Sequence, residues 1–355
     1  MLFPLGPALA APYGSAEGAT TPQRVIEVNA YILPGTGTDK YLAEAADHLT
    51  WVSVFSYRAG PDGELIAPPG AEEIVDAAWK RGVWPQMVVT NFDGGNFNTA
   101  LGHALVTDPE KRARLIGNIQ RTLDEKGFYG LNIDFENLPP ADRYAYTAFI
   151  AEVAAAVRPS GHPLSIAVAP KASDRPGESW VGFVDYAALG RLVDRMIVMT
   201  YEWGWIGGPP MPIAPLDKVR EVLAYVTRFV PPEKVLMGVP LYGYDWQLPD
   251  TPWNTARGLD NARAKKLAAR YGARILWDQR AASPYFYYTD EWGFTHMVWF
   301  EDGWSVAAKY ALVREFGLAG VSYWVLGNEF PDNWSVLDGL FDPRRDPATG
   351  WDIRL

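Results

Sequence analysis

The stretch Gly130-Leu131-Asn132-Ile133-Asp134-Phe135-Glu136-Asn137-Leu138-Pro139 decides the fold. Apolar and polar residues alternate with the period of two that a β-strand imposes. Leu131, Ile133 and Phe135 therefore share one face, and Asn132, Asp134 and Glu136 the other. Burying a carboxylate is unfavourable unless it is paired or hydrogen-bonded. Two of them, two residues apart on one face, interact and separate in pKa, which keeps one acid protonated beside an ionised neighbour. The stretch reads either as a satisfied polar cluster at a strand end or as an acid–base pair.

Seven further runs rich in β-branched and aromatic residues, bounded by Gly, Pro or Asn, read as strands at 24–33, 50–57, 84–91, 164–170, 195–202, 235–243 and 320–327. The clearest helical periodicity lies between them, at 71–82, 108–127, 141–158 and 215–230. The second of these opens on Asp108 as N-cap with Pro109 in the first turn, and stops at Gly127. Eight strands with helices interposed predict the α/β class and a closed (β/α)8 TIM barrel. A doubly wound open sheet fits less well, because no Gly-rich phosphate loop is present.

Between the last two strands the chain is too long for one βα unit. A helix at 260–272 precedes strand-like pieces at 275–279, 285–290 and 295–300, with a hairpin turn at 290–293. This predicts a small α+β insertion at 246–303 on the catalytic rim, between strands seven and eight, with the barrel formed by 23–245 and 304–355. Residues 331–355 read as irregular. Residues 1–22, small and rich in Pro and Gly, read as a flexible lead-in or the remnant of a secretion signal.

The chain has 355 residues and a formal net charge of −10. It carries no long basic run, so nucleic acid is not an expected partner. No apolar run reaches membrane-spanning length. There are no cysteines, and the four histidines are scattered, which leaves no thiolate or helix-face metal spacing; neither metal nor cofactor is expected. Aromatic residues make up 14%, compatible with a sugar-binding cleft and equally with a large core.

Active sites of such barrels lie at the C-terminal ends of the strands. Strand three runs into Asn91. Strand four ends in Asp134 and Glu136, and strand six in Met199, Tyr201, Glu202 and Trp203. Strand seven carries Tyr242 and Tyr244, and strand eight Trp324 and Asn328. An acidic cleft walled by aromatics suits a neutral polyhydroxylated substrate that develops oxocarbenium charge.

These motifs resemble glycoside hydrolase family 18, the chitinase-type barrels, and in particular its spore-cortex-lytic, germination-associated branch. The family's strand-four signature D-G-x-D-x-D-x-E corresponds to Tyr129 through Glu136, with Gly130, Asp134 and Glu136 kept and Tyr129 and Asn132 in place of the first two Asp. Met199-Thr200-Tyr201-Glu202 stands for the sixth-strand M-x-Y-D, and Trp324 for the eighth-strand Trp. The segment 296–313 also resembles that branch. The likeness spans roughly residues 23 to 340.

The resemblance implies an extracellular, cell-wall or spore-associated monomer that cleaves β-1,4-linked N-acetylglucosamine polymers, with peptidoglycan favoured over chitin. It implies substrate-assisted, retaining chemistry. Glu136 would be the general acid, Asp134 would orient the 2-acetamido group, Tyr201 would hydrogen-bond its oxygen, and Trp324 would floor the subsite. Asn132, Met199, Glu202, Trp203, Tyr242 and Asn91 are expected to contact substrate. Asn cannot titrate, so Asp134 is expected to stay ionised and hydrogen-bonded to the Asn132 amide. Two rival readings are a non-catalytic lectin on the same fold and a two-carboxylate glycosidase with Glu202 as nucleophile.

Overall fold

The computed structural model describes residues 23–251 and 255–344. The lead-in 1–22 and the stretch 345–355 lie outside them. Eight parallel strands, Arg24–Ile32, Trp51–Ala59, Trp84–Thr90, Gly130–Asp134, Leu164–Val168, Arg195–Val198, Val235–Pro240 and Gly320–Trp324, pair in chain order. The first pairs with both the second and the eighth, so the sheet closes. The predicted barrel is present.

Strand four shows how the sequence pattern becomes layers. Its apolar face points outward, where Phe135 stacks on Phe149 of the helix Arg143–Val157 at 5.4 Å between ring centroids. Its polar face points into the barrel. There Asn132 donates from Nδ2 to Ser165 Oγ at 2.7 Å and accepts from Tyr31 OH at 3.1 Å. Asn29, Ser53, Gln86 and Ser322 extend this polar layer: Ser53 donates to Asn29 at 2.8 Å, and Asn29 to Ser322 at 2.9 Å. Buried polar groups persist only when satisfied in this way. At the barrel floor Glu27 accepts from Arg195 at 2.7 Å and from Arg344 at 3.0 Å.

Capping follows the sequence. The helix Pro109–Lys126 opens with Asp108 accepting from the Glu110 and Lys111 amides at 2.9 and 3.2 Å, and closes at Gly127 with φ of 69°.

Two boundaries differ from the expectation. Strand seven stops at Pro240. Tyr242–Leu248, which reads as a near continuation of it, instead pairs antiparallel with Arg257–Asp260 and Thr295–Trp299. The insertion's five-stranded sheet therefore begins at Tyr242, ahead of 246. The expected hairpin is present between Ser283–Thr289 and Thr295–Trp299. A separate apolar cluster that includes Leu259, Phe286, Val298 and Phe300 supports the sheet.

The second difference is at 331–344, read as irregular. Pro331–Leu340 is a helix with Pro in its first turn, where no amide partner is needed. Phe341–Pro343 follows as a short strand beside strand one. Among the described residues no helix is long and apolar enough to cross a membrane.

Candidate active site

A cleft of about 720 Å³ opens at the C-terminal ends of the strands. Asp134, Glu136, Met199, Tyr201, Glu202, Tyr242 and Trp324 all line it. Three other expected contacts do not. Asn132 lies fully buried beneath the cleft in the polar layer. Asn91 sits behind Glu136: its Nδ2 donates to the Glu136 carbonyl at 2.9 Å and its Oδ1 accepts from the Glu136 amide at 3.0 Å. It thereby fixes the backbone that carries the acid. Trp203 packs against the hydrophobic core, outside the cleft wall, because the chain turns at Glu202 and Trp203 N bonds Ile213 O at 3.1 Å.

The Asn132 expectation needs correction. Its amide is committed to Ser165 and Tyr31, so it does not bond Asp134. Asp134 Oδ1 is buried and has no hydrogen-bond partner. Burial pushes the Asp134 carboxyl up to about 7, far above an ordinary aspartate, so near neutral pH it exchanges between its protonated and ionised forms instead of staying ionised throughout. Glu136 is raised well above its ordinary value, first by burial, then by the charges of Asp134 and Glu202. The pair is therefore shifted upward together, with further charge repulsion acting on Glu136.

Glu202 has a positive φ of 67° and lines the cleft from the loop after strand six. Its Oε1 accepts from Tyr244 OH at 2.9 Å and also from Tyr242 OH. Burial raises its pKa, and these two hydrogen bonds oppose the rise. Tyr201 is buried with its ring edge-on to Tyr242 at 6.5 Å. Room for that ring comes from Gly238 on strand seven, where a Cβ would lie 2.8 Å from Tyr201 Cε1 and 2.7 Å from Val198 O. Trp324 meets Phe55 and Tyr31 edge-to-face at 4.8 and 5.4 Å, which holds its indole at the cleft floor.

The structure adds residues that the sequence reading passed over. Tyr31 lines the cleft from strand one; it shares a strand face with Asn29 and Glu27, so the alternation already placed it inward. Phe55, Phe92 and Phe97 line it from strand two and the loop after strand three, and Trp180 and Ile206, 40% and 49% exposed, from later loops. The insertion supplies Gly258, Leu259, Asp260 and Arg263 besides its two tyrosines, so it forms a wall of the cleft. Their distance in sequence from strand four left no local signal. Among the described residues no group of three His, Cys, Asp or Glu is arranged to hold a metal ion.

A closed parallel barrel with adjacent carboxylates of raised pKa in an aromatic-walled cleft at the strand ends defines a glycoside hydrolase class of architecture. Residues 87–329 match the family described as Glycosyl hydrolases family 18, and the chain belongs to it. It is 39% identical to the cortical fragment-lytic enzyme of Bacillus anthracis over 321 residues, covering 89% of this chain and 74% of that protein. The cortical fragment-lytic enzyme of Bacillus subtilis is likewise 39% identical, over 90% of this chain and 76% of its own length. Among solved structures, the Bacillus cereus spore cortex-lytic enzyme SleL superposes with a TM-score of 0.88 at 37% identity, covering 92% of this chain and 76% of that one. A chitinase from Chromobacterium violaceum superposes with a TM-score of 0.83 at 29% identity, covering 88% and 98%.

Proposed function

We propose that this family 18 hydrolase cleaves the β-1,4 linkage of N-acetylglucosamine in the peptidoglycan of the spore cortex, by substrate-assisted catalysis with retention. The observation that carries the mechanism is the division of labour among three carboxylates. Burial and its neighbours' charges push Glu136 well above its ordinary value and so favour its protonated form, which a general acid needs. Asp134 presents a buried oxygen without a partner. Glu202 is engaged by two tyrosine hydroxyls.

In this reading Glu136 protonates the glycosidic oxygen as the C1–O bond breaks. The substrate's acetamido oxygen attacks C1 and closes an oxazolinium ring. Asp134 accepts from the acetamido N–H and stabilises the developing positive charge, while Tyr201 donates to the acetamido oxygen. Glu136 then takes a proton from the water that opens the ring. Asn91 positions the Glu136 backbone. We take the enzyme to act as a monomer, and a cortex substrate puts its work at the spore wall.

A thiazoline analogue of the oxazolinium ion is expected to inhibit competitively, and β-glucosides lacking the acetamido group to resist cleavage. Products from purified cortex and from chitin, identified by mass, test the substrate. Efficient cleavage of a plain glucoside, or a covalent sugar trapped on Glu202, would support the two-carboxylate mechanism instead.

A further inference from the structure

The insertion's first strand, Tyr242–Leu248, reaches into the catalytic centre. Tyr242 and Tyr244 stand two residues apart, so they share a face of that strand, and their rings meet edge-on at 5.4 Å. Tyr244 is fixed in the middle of the sheet, paired with Gly258 on one side and Trp299 on the other. Both hydroxyls converge on one atom: Tyr244 donates to Glu202 Oε1 at 2.9 Å, and Tyr242 donates to the same oxygen. Glu202 meets them from a left-handed backbone, φ 67°, which a residue other than glycine keeps only where its surroundings hold it.

Two donors on one oxygen favour the anion, because hydrogen bonds to an ionised acceptor are roughly twice as strong as neutral ones. Burial raises the pKa of both phenols, so they keep the protons they donate. Among the described residues no Lys, Arg or His pairs with Glu202. The other titratable groups of the cavity are Tyr31, Asp134, Glu136 and Tyr201 from the barrel, with Asp260 and Arg263 from the insertion. Asp134 and Glu136 disfavour a further negative charge beside them. The tyrosines are thus the groups that bond Glu202 and oppose its neutralisation. We propose that Tyr242 and Tyr244 are positioning residues: with two hydrogen bonds to one oxygen they keep Glu202 anionic beside the general acid, so that the insertion, acting through Glu202, helps hold the proton on Glu136. This rests on the general-acid reading of Glu136 above.

The test reads Glu202 and Glu136 separately. In protein labelled with 13C at the glutamate carboxyls, the signals are titrated in the wild type, Tyr242→Phe, Tyr244→Phe and the double variant; the Glu202 signal is the one missing from Glu202→Gln. Each Phe change keeps the ring and its packing. Loss of one hydroxyl is expected to raise the Glu202 midpoint by about one pH unit, the scale of a hydrogen bond to a charged group. Loss of both should raise it further. In kcat/KM for soluble cortex fragments, read as reducing ends, the alkaline limb of the double variant should fall to the position found in Glu202→Gln, with the single variants between. In the Glu202→Gln background the Phe changes should move the limb no further. An unchanged Glu202 midpoint in both single variants overturns the proposal. So does a raised midpoint with an unmoved limb, or a limb shift of equal size in the Glu202→Gln background. If Glu136→Gln keeps the wild-type rate and limb, the general-acid reading falls and takes the proposal with it, and the Glu202 titration tells that failure from the first.

Discussion

Glu136 sits where three influences on one proton meet. Burial disfavours its anion, and Asp134 and Glu202 add negative potential. Glu136→Gln keeps the shape and removes the proton, so turnover should fall by about 10²–10⁴-fold with the fold intact, read as reducing ends released and by circular dichroism. The stability sign is opposite. A carboxyl raised in the folded state is stabilising while protonated, and that stability drains away as pH climbs from the unfolded value through the folded one. Glu136→Gln should therefore melt above the wild type at about pH 8 and level with it below about pH 4, where both states of the wild type are protonated. Glu202→Gln removes one of the charges that raise Glu136, so the alkaline limb of the kcat/KM profile should move to lower pH. An unmoved limb would mean that another group sets it.

At the level of elements, the barrel depends on how closely its strands approach. Gly320 opens the eighth strand, opposite Glu27 of strand one and Leu236 of strand seven. A Cβ there would lie 1.8 Å from the Glu27 carbonyl oxygen, which is backbone and cannot step aside. Gly320→Ala should cost about 3 kcal/mol or more, seen as a lower urea midpoint. What was legible in the sequence divides along the same line. The strand-four alternation, the Asp108 and Gly127 caps and the run Met199–Glu202 are local, and local chemistry fixes them. The start of the insertion was not legible, because Tyr242–Leu248 has the same β-forming composition as the barrel strand before it. Its antiparallel pairing with Arg257–Asp260 and with Thr295–Trp299, some fifty residues on, reveals the change of sheet. The Asn132 expectation failed for a related reason: its partners, Tyr31 and Ser165, come from strands one and five. Arg263 escaped notice because a single arginine on an amphipathic helix looks like any solvated cation until the fold turns it to the cleft.

Across the whole molecule, the candidate site is confined to one end. The cleft, the insertion's wall and the unpaired carboxylate oxygen of Asp134 all lie beyond the C-terminal ends of the strands. The opposite end is a staple. Arg24, Val25 and Ile26 pair with Phe341, Asp342 and Pro343, Gln23 bonds the Asp338 carbonyl at 2.8 Å, and Arg344 reaches Glu27. Residues 23 and 344 therefore lie at the ends of neighbouring parallel strands at the floor, at the end of the barrel opposite the cleft. A tag, a surface tether or an added module fused at either of them would leave the cleft mouth clear. The same adjacency makes the chain a natural subject for circular permutation: a short linker could join the two floor positions, and new termini could be opened in a rim loop without unpicking a barrel strand.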